Sequence, residues 1–302
     1  MARTRDVRFR THFVIILLVS FVFLSAVHSS VYYRIWASAL ATDEMETALV
    51  EKVFDNYQLL LKTELERYAA SNAAYENVSI NFDESWIERR FGSELGATTG
   101  YDYALMIGRN GRVVFQHSPD PEAQKFEDLA ELQSIARTFL GIHAEYSSIK
   151  KSEPDLRTTF APFFEKLSAV EIIEIGEEVA IATSFAIVPD PGGIELSKEP
   201  PYVLVTLNLL NSANLGRLLD LLPLSDLQFG KTIPGGKNGV AVAIDTGEVV
   251  GYLNWSPVNQ SRSIIHARTL FVIFASVALF VATLASFFFL NRLTSSQKPP
   301  SV

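Results

Sequence analysis

Aromatic and charged side chains are concentrated between residues 75 and 103 of this 302-residue chain. Pockets for small molecules combine an apolar wall with a few fixed polar groups, and these residue types supply both. Trp86 and Arg90 are four residues apart, so on a helix they share a face, where a stacked guanidinium could bind a carboxylate. We expect six residues to line a ligand-binding cleft: Tyr75, Glu76, Trp86, Arg90, Tyr101 and Tyr103.

The same residues also have a purely structural interpretation. Trp86 would then belong to the core, and Arg90 would pair with a surface acid. Asp102 lies between two tyrosines on a predicted strand. Because successive side chains of a strand point to opposite faces, Asp102 should face away from the tyrosines and be solvated.

Signatures of catalysis and of metal binding are weak or missing. The five histidines are scattered, with no pair at the spacing of zinc ligands. The chain has no cysteine, and no Gly-x-Ser-x-Gly occurs. The stretch SDLQFGKT ends like a phosphate-binding loop, but Ser225 stands where the first glycine is required and no helix pattern follows. We therefore expect no enzymatic activity, no metal and no cofactor.

The candidate residues should lie where two predicted helices meet the first strand. Between residues 37 and about 74, apolar side chains recur every three or four positions, which predicts a long amphipathic stalk helix. Such a stripe is typical of intramolecular core or of a dimer seam, so a homodimer is one expected assembly. The stripe consists of Met45, Leu49, Val53, Tyr57, Leu61, Leu65 and Tyr68.

The second predicted helix begins at Asp83, a residue type that caps helix N-termini. Its buried face should consist of Ile87, Phe91 and Leu95, and Gly96 or Gly100 should end it. The pattern therefore brings residues 83–100 close to the strand that follows.

After Gly100 the hydrophobic period changes to that of strands, interrupted by two helices at 122–142 and 211–222. Asn110-Gly111 predicts a hairpin turn because this pair tolerates positive φ. Strand patterns lie on both sides of that turn, and further ones follow at 170–175, 178–188, 202–209, 239–245 and 248–255. Hairpin strands beside a few helices predict an α+β fold with one central antiparallel sheet.

Two apolar runs predict membrane helices at 13–33 and 269–290. The second run has 22 residues without a charge, which rise about 33 Å as a helix and cross the roughly 30 Å hydrocarbon core. The first run also fits a cleavable signal peptide. Aromatic residues at its end and the absence of Gly or Pro before Gly92 favour a retained helix.

Four arginines before the first run predict a cytoplasmic N-terminus. The expected organisation is a cytoplasmic tail at 1–12, a span at 13–33, a periplasmic domain at 34–268, a span at 269–290 and a cytoplasmic tail at 291–302. Trp255 and Pro257 should anchor the domain at the membrane interface.

Residues 37–262 contain 18 Lys and Arg against 33 Asp and Glu, a net charge of −15, which argues against nucleic acid as a partner. A domain of this size without cysteine fits a bacterial periplasm better than a eukaryotic exterior.

Four stretches, taken in order, resemble the type-four CHASE family of bacterial extracytoplasmic sensor domains. They are YENV, FDESWIERRFGSELGATTGYDYALMIGRNGRVVFQH, GEEVAIATSFAIVPDP and GYLNWSPVNQSRSIIHARTLFVIFASVALF. Two pairs depart from the family pattern. Tyr75-Glu76 stands where Trp-Asp is usual, and Asn259-Gln260 stands where Pro-Gly is common.

The resemblance implies a PAS/Cache-like sensor in the bacterial inner membrane that binds an unknown small molecule. Members typically feed a cyclase, a phosphodiesterase or a histidine kinase, whereas this sequence ends twelve residues after Leu290. On sequence alone we therefore expect no catalytic output domain, and a membrane-bound cyclase or kinase as a separate partner. The alternative is a binding or tethering membrane protein without signalling, or the remnant of a sensor cyclase.

Overall fold

The computed structural model describes residues 2–127, 132–152, 161–190, 199–222 and 224–257, together with five single residues beyond them. The chain divides into two units, Met1–Glu46 with Pro257–Val302, and Thr47–Ser256. Over the described residues, no helix has both the length and the apolarity that crossing a membrane requires. The predicted span at 269–290 lies outside the described ranges, as do most side chains of 13–33, so both spans stay predictions.

Helix α1, Ala2–Ala69, ends about five residues earlier than the sequence pattern indicates. Ser71 interrupts it, because its side-chain oxygen accepts from the Ala74 backbone N–H at 3.1 Å and caps the short helix α2, Asn72–Tyr75. A π-helical segment, Glu76–Ile80, follows α2.

In the second half of the apolar stripe of α1, the side chains pack against other residues of the same subunit. Tyr57, Leu61, Leu65 and Tyr68 are all buried against the rest of the domain, whereas Met45 is 75% exposed. The intramolecular interpretation is therefore confirmed for these four residues, which are not free to form a dimer seam. A homodimer stays a prediction.

The second predicted helix is present, but it is not uniform. It consists of α3 (Glu84–Ile87), a π-helical segment (Glu88–Glu94) and α4 (Leu95–Thr99). Its predicted cap is confirmed, since the Asp83 carboxylate accepts from the Trp86 backbone N–H at 3.0 Å. Ile87, Phe91 and Leu95 are buried as predicted. Gly100 ends the helix at φ 58°, a left-handed conformation that suits glycine.

A five-stranded antiparallel sheet forms the centre of the larger unit, in the order β2-β1-β5-β4-β3. The predicted hairpin joins β1 and β2, with Gly111 at φ 79°. Its strands are β1 (Tyr103–Ile107), β2 (Val113–His117), β3 (Ser168–Ile175), β4 (Glu178–Ala186) and β5 (Val203–Leu209).

Helix α5, Gln133–Ser152, begins and ends about ten residues later than predicted. Gln124 and Phe126, which the sequence pattern places in this helix, bond to β2 instead. The Gln116 side chain donates to the Gln124 carbonyl at 2.6 Å and accepts from the Phe126 N–H at 2.9 Å. A short 3₁₀ helix, Ala161–Leu167, precedes β3.

The last strands form a second sheet, which corrects the prediction of one central sheet. This three-stranded antiparallel sheet has the order β6-β8-β7 and follows helix α6 (Ser212–Leu219). Its first strand falls on the stretch that ends like a phosphate-binding loop, where no strand was predicted. The strands are β6 (Ser225–Gly230), β7 (Asn238–Ala243) and β8 (Val249–Ser256).

Trp255 does not lie at an interface, contrary to the sequence-based expectation. Its side chain is fully buried in an apolar cluster together with Leu253 and Val242 of the second sheet and Leu215 of α6. Leu253 and Trp255 are two residues apart on β8, so both side chains point to the same face of the strand, towards this cluster.

Candidate functional site

An open cleft of about 670 Å³ lies between β2 and the helical segment that starts with α3. The wall formed by β2 is apolar and contributes Val114 and Phe115. The wall formed by residues 82–93 is mainly polar, with Glu84, Ser85, Glu88, Arg89 and Ser93, and it also includes Phe82 and Ile87. This combination of a hydrophobic surface with a few charged groups is typical of small-molecule sites.

The polar wall follows from the way in which the helix is capped and buried. Asp83 fixes the first turn, and Ile87 and Phe91 point into the core, so the intervening residues face outwards. Glu84 and Glu88 are four residues apart and share that outer face. The helix becomes π-helical at Glu88, and such segments are rare and occur frequently at functional sites.

Glu88 connects the cleft to a buried tyrosine through His117. Its Oε1 lies 3.5 Å from Nε2 of His117, and Nδ1 of His117 lies 3.0 Å from the hydroxyl of Tyr101. The Tyr101 hydroxyl donates towards the carbonyls of Phe91 and Gly92, at 2.7 and 2.6 Å. A doubly protonated His117 would donate from Nδ1 to the Tyr101 hydroxyl and direct its Nε2–H at Glu88.

Burial raises the pKa of Tyr101, and the negative charge of Glu88 acts in the same direction. Tyr101 therefore stays neutral and keeps its donor proton at physiological pH. The chain of contacts from Glu88 to Tyr101 joins the open cleft to the backbone of the π-helical segment.

Gly92 makes this arrangement possible, because a Cβ there would lie 2.9 Å from Cδ2 of His117. Replacing Gly92 by alanine should push His117 away from Tyr101 and lower the free energy of unfolding by about 1–3 kcal/mol, the usual effect of overpacking. Urea denaturation measures this loss. Gly141→Ala is the matched control, since nothing lies within 4 Å of its added Cβ, and in helix α5 it should stabilise by about 0.5–1 kcal/mol. Equal effects of the two substitutions would contradict the proposed packing.

The six residues predicted from sequence do not form one site. Trp86 packs edge-to-face against Phe91, with ring centroids 5.5 Å apart. Arg90 pairs with Glu94 at 2.6 Å and lies over the ring of Tyr68 rather than on Trp86. Arg90 thus pairs with a surface acid, as in the structural interpretation, whereas Trp86 is only partly buried. Neither residue lines the cleft, and their predicted ligand contacts stay predictions.

Tyr101 and Tyr103 are both buried near the start of β1, but they have different neighbours. Tyr101 faces His117, as described above, whereas the ring of Tyr103 packs against Phe126 at 5.4 Å. Burial also raises the pKa of Tyr103. Both tyrosines therefore pack inside the protein, and their predicted contacts with a ligand stay predictions.

Tyr75 and Glu76 lie in a different environment, with Tyr75 buried and Glu76 exposed. Tyr75 is one of the groups that act on Tyr146. Burial raises the pKa of Tyr146, Tyr75 adds to this shift, and the positive charge of Arg109 opposes it. The Arg109 guanidinium pairs with Glu199 and donates to the carbonyls of Pro200 and Ser79, at 3.1 and 3.3 Å. This arginine therefore ties the β1–β2 hairpin to neighbouring segments.

Asp102 is not a solvated carboxylate, contrary to the expectation from sequence. It accepts from the Leu209 backbone N–H and from the Asn214 side-chain amide, both at 2.7 Å, and from the Asn211 amide at 3.3 Å. Asp102 thereby fixes the turn between β5 and α6.

Sequence reasoning missed the residues that line the cleft, above all Glu84, Glu88 and Arg89. The four-residue spacing of Glu84 and Glu88 after the capping Asp83 was the only signal available. Nothing in the sequence places β2 against this helix, and β2 supplies the apolar wall.

A family model described as the CHASE4 domain matches residues 53–229. That range includes the end of α1 from Val53 onwards, the whole five-stranded sheet and the cleft. CHASE4 domains are extracytoplasmic sensor domains of signalling proteins. No curated protein matches the chain significantly. Because the matched range is more than half of the sequence, the chain belongs to the CHASE4 domain family.

Proposed function

We propose that the chain is a membrane-anchored periplasmic sensor that binds a small zwitterion in the cleft between α3 and β2. The proposal rests on the lining of the cleft, which combines two carboxylates and one guanidinium with an apolar wall. Glu84 and Glu88 would receive an ammonium group, and Arg89 would receive a carboxylate. The apolar part of the ligand would contact Val114 and Phe115.

A charged ligand group bound at Glu88 would change the contacts of His117 and Tyr101, and through them the packing of the core. An ammonium group bound to Glu88 competes with His117 for the same oxygen, which is 3.5 Å from His117 in the structure. Release of His117 would change its contact with Tyr101 and thus with the π-helical segment. The signal would pass through the predicted membrane helices to a cyclase or kinase. Homodimerisation belongs to the same proposal.

The alternative is a binding or tethering protein that does not signal. Membership in a family of sensor domains supports the signalling function. The six residues predicted from sequence support it less than the cleft does, because they are divided among separate surroundings.

Replacing Arg89 by glutamine should weaken binding of the zwitterion about tenfold or more, since a charge-assisted hydrogen bond contributes roughly 1.5–3 kcal/mol. The ligand is first found by measuring the melting temperature of the full-length chain with a set of amino-acid-like zwitterions, and its affinity is then measured by calorimetry. Arg90→Gln is the matched control, since Arg90 is adjacent but pairs with Glu94 outside the cleft. Equal affinities of the two variants would reject the cleft as the site.

A further inference from the structure

A second groove, of about 350 Å³, lies on the larger unit between strands β3 and β7. Residues 170–172 of β3 and 240–243 of β7 line its two sides, and α1 contributes Glu51, Phe54, Asp55 and Gln58. Consecutive side chains of a strand point to opposite faces. A groove that is lined by four consecutive residues therefore runs along the edge of the strand, not over one face of its sheet.

Both strands stand at the ends of their sheets. Among the described strands, β3 pairs with β4 alone and β7 pairs with β8 alone. The outer N–H and C=O groups of an edge strand are a template for another extended chain. Here two such edges border the same groove, so one inserted strand would have a hydrogen-bonding edge on each side.

The groove is acidic. Glu51 and Asp55 are exposed on α1, Asp245 follows β7, and Glu171 lies on β3. No basic side chain is among the residues that line it. Burial raises the pKa of Glu171, and the negative charge of Asp245 adds to this shift, whereas a 2.6 Å hydrogen bond from Thr138 and the charge of Arg137 oppose it. By contrast, Glu174 at the end of β3 already has its own cation, Lys231, at 3.0 Å.

We infer that the groove between β3 and β7 binds an extended, cationic polypeptide segment of a partner protein, which adds as a strand to both edges. Four residues of β7, at about 3.3 Å each, give an edge of about 13 Å, so roughly four residues of the partner would be held. The segment's backbone would bond to the two edges. Its lysine or arginine side chains would meet Glu51, Asp55 and Asp245, and its apolar side chains would meet the exposed Ala241 and Ala243.

The test uses a fluorescent peptide of alternating lysine and valine, titrated with the full-length chain and followed by anisotropy. The double variant Glu51→Gln/Asp55→Asn should weaken binding roughly fivefold or more, because it removes two partly exposed charge pairs. Glu64→Gln, on α1 outside the groove, should bind as the parent chain does. A peptide of the same charge with alternate backbone nitrogens methylated should lose binding, because it cannot donate to one edge.

Three results would overturn the inference. The first is no binding of the parent peptide at millimolar concentration. The second is equal binding of the methylated peptide, which would show that charge alone is recognised. The third is equal affinity of the double variant and Glu64→Gln. The zwitterion-binding cleft shares no residue with this groove, so failure here leaves that proposal untouched.

Discussion

Replacing Trp255 by alanine should lower the free energy of unfolding by about 3–5 kcal/mol, as large-to-small changes of buried aromatic residues do. The ring is fully buried in the cluster that holds the second sheet against α1 and α6. The cavity would remain because strand β8 is paired on both sides, with β6 and β7, and cannot collapse into it. Urea denaturation of the full-length chain, followed by circular dichroism, measures the loss.

Trp86→Ala is the control for this prediction. Trp86 is only partly buried and contacts Phe91 at the margin of the core, so its removal should cost about half as much. If Trp255→Ala cost less than Trp86→Ala, Trp255 would not belong to the core and the membrane-anchor interpretation from sequence would regain support.

Replacing Asp102 by alanine should cost about 2–4 kcal/mol. The substitution leaves the Leu209 N–H and one N–H of the Asn214 amide without their acceptor, while the amide keeps its bond to the Leu209 carbonyl. Each donor left unpaired away from water costs roughly 1–3 kcal/mol. The loss should appear as a lower urea midpoint with an unchanged slope.

Asp120→Ala is the matched control for Asp102. Asp120 accepts from the Glu122 N–H in an exposed turn, where substitutions usually change stability by only about 0.5 kcal/mol. Equal losses for Asp102→Ala and Asp120→Ala would mean that Asp102 is solvated, as the sequence pattern alone indicated.

The parts of the fold that were predictable from sequence depend on local chemistry. The cap at Asp83, the buried face of Ile87, Phe91 and Leu95, and the turn at Gly111 each need only a few neighbouring residues. The features that were not predictable depend on contacts between residues that are far apart in the sequence. Trp255 follows an alternating strand that could face a membrane or a core, and only the packing of α1 and α6 on the second sheet decides between them.

The candidate site was less predictable than the fold. Trp86 and Arg90 have the spacing of a shared helix face, but Arg90 does not stack on Trp86. It forms an ion pair with Glu94 and lies over the ring of Tyr68 of α1. The cleft itself depends on contact between residues 82–93 of the helical segment and residues 114–115 of β2, which are more than 20 residues apart in sequence. A single sequence carries no signal for that contact.

Hydrogen exchange with and without the zwitterion tests most directly whether the chain is a sensor with its ligand site in this cleft. The full-length chain is compared at saturating ligand, and the change in protection is resolved along the sequence. We predict added protection at residues 84–93 and 113–117, which form the two walls of the cleft. Protection confined to the surroundings of Tyr75 and Arg109, or no change anywhere at saturation, would contradict the assignment.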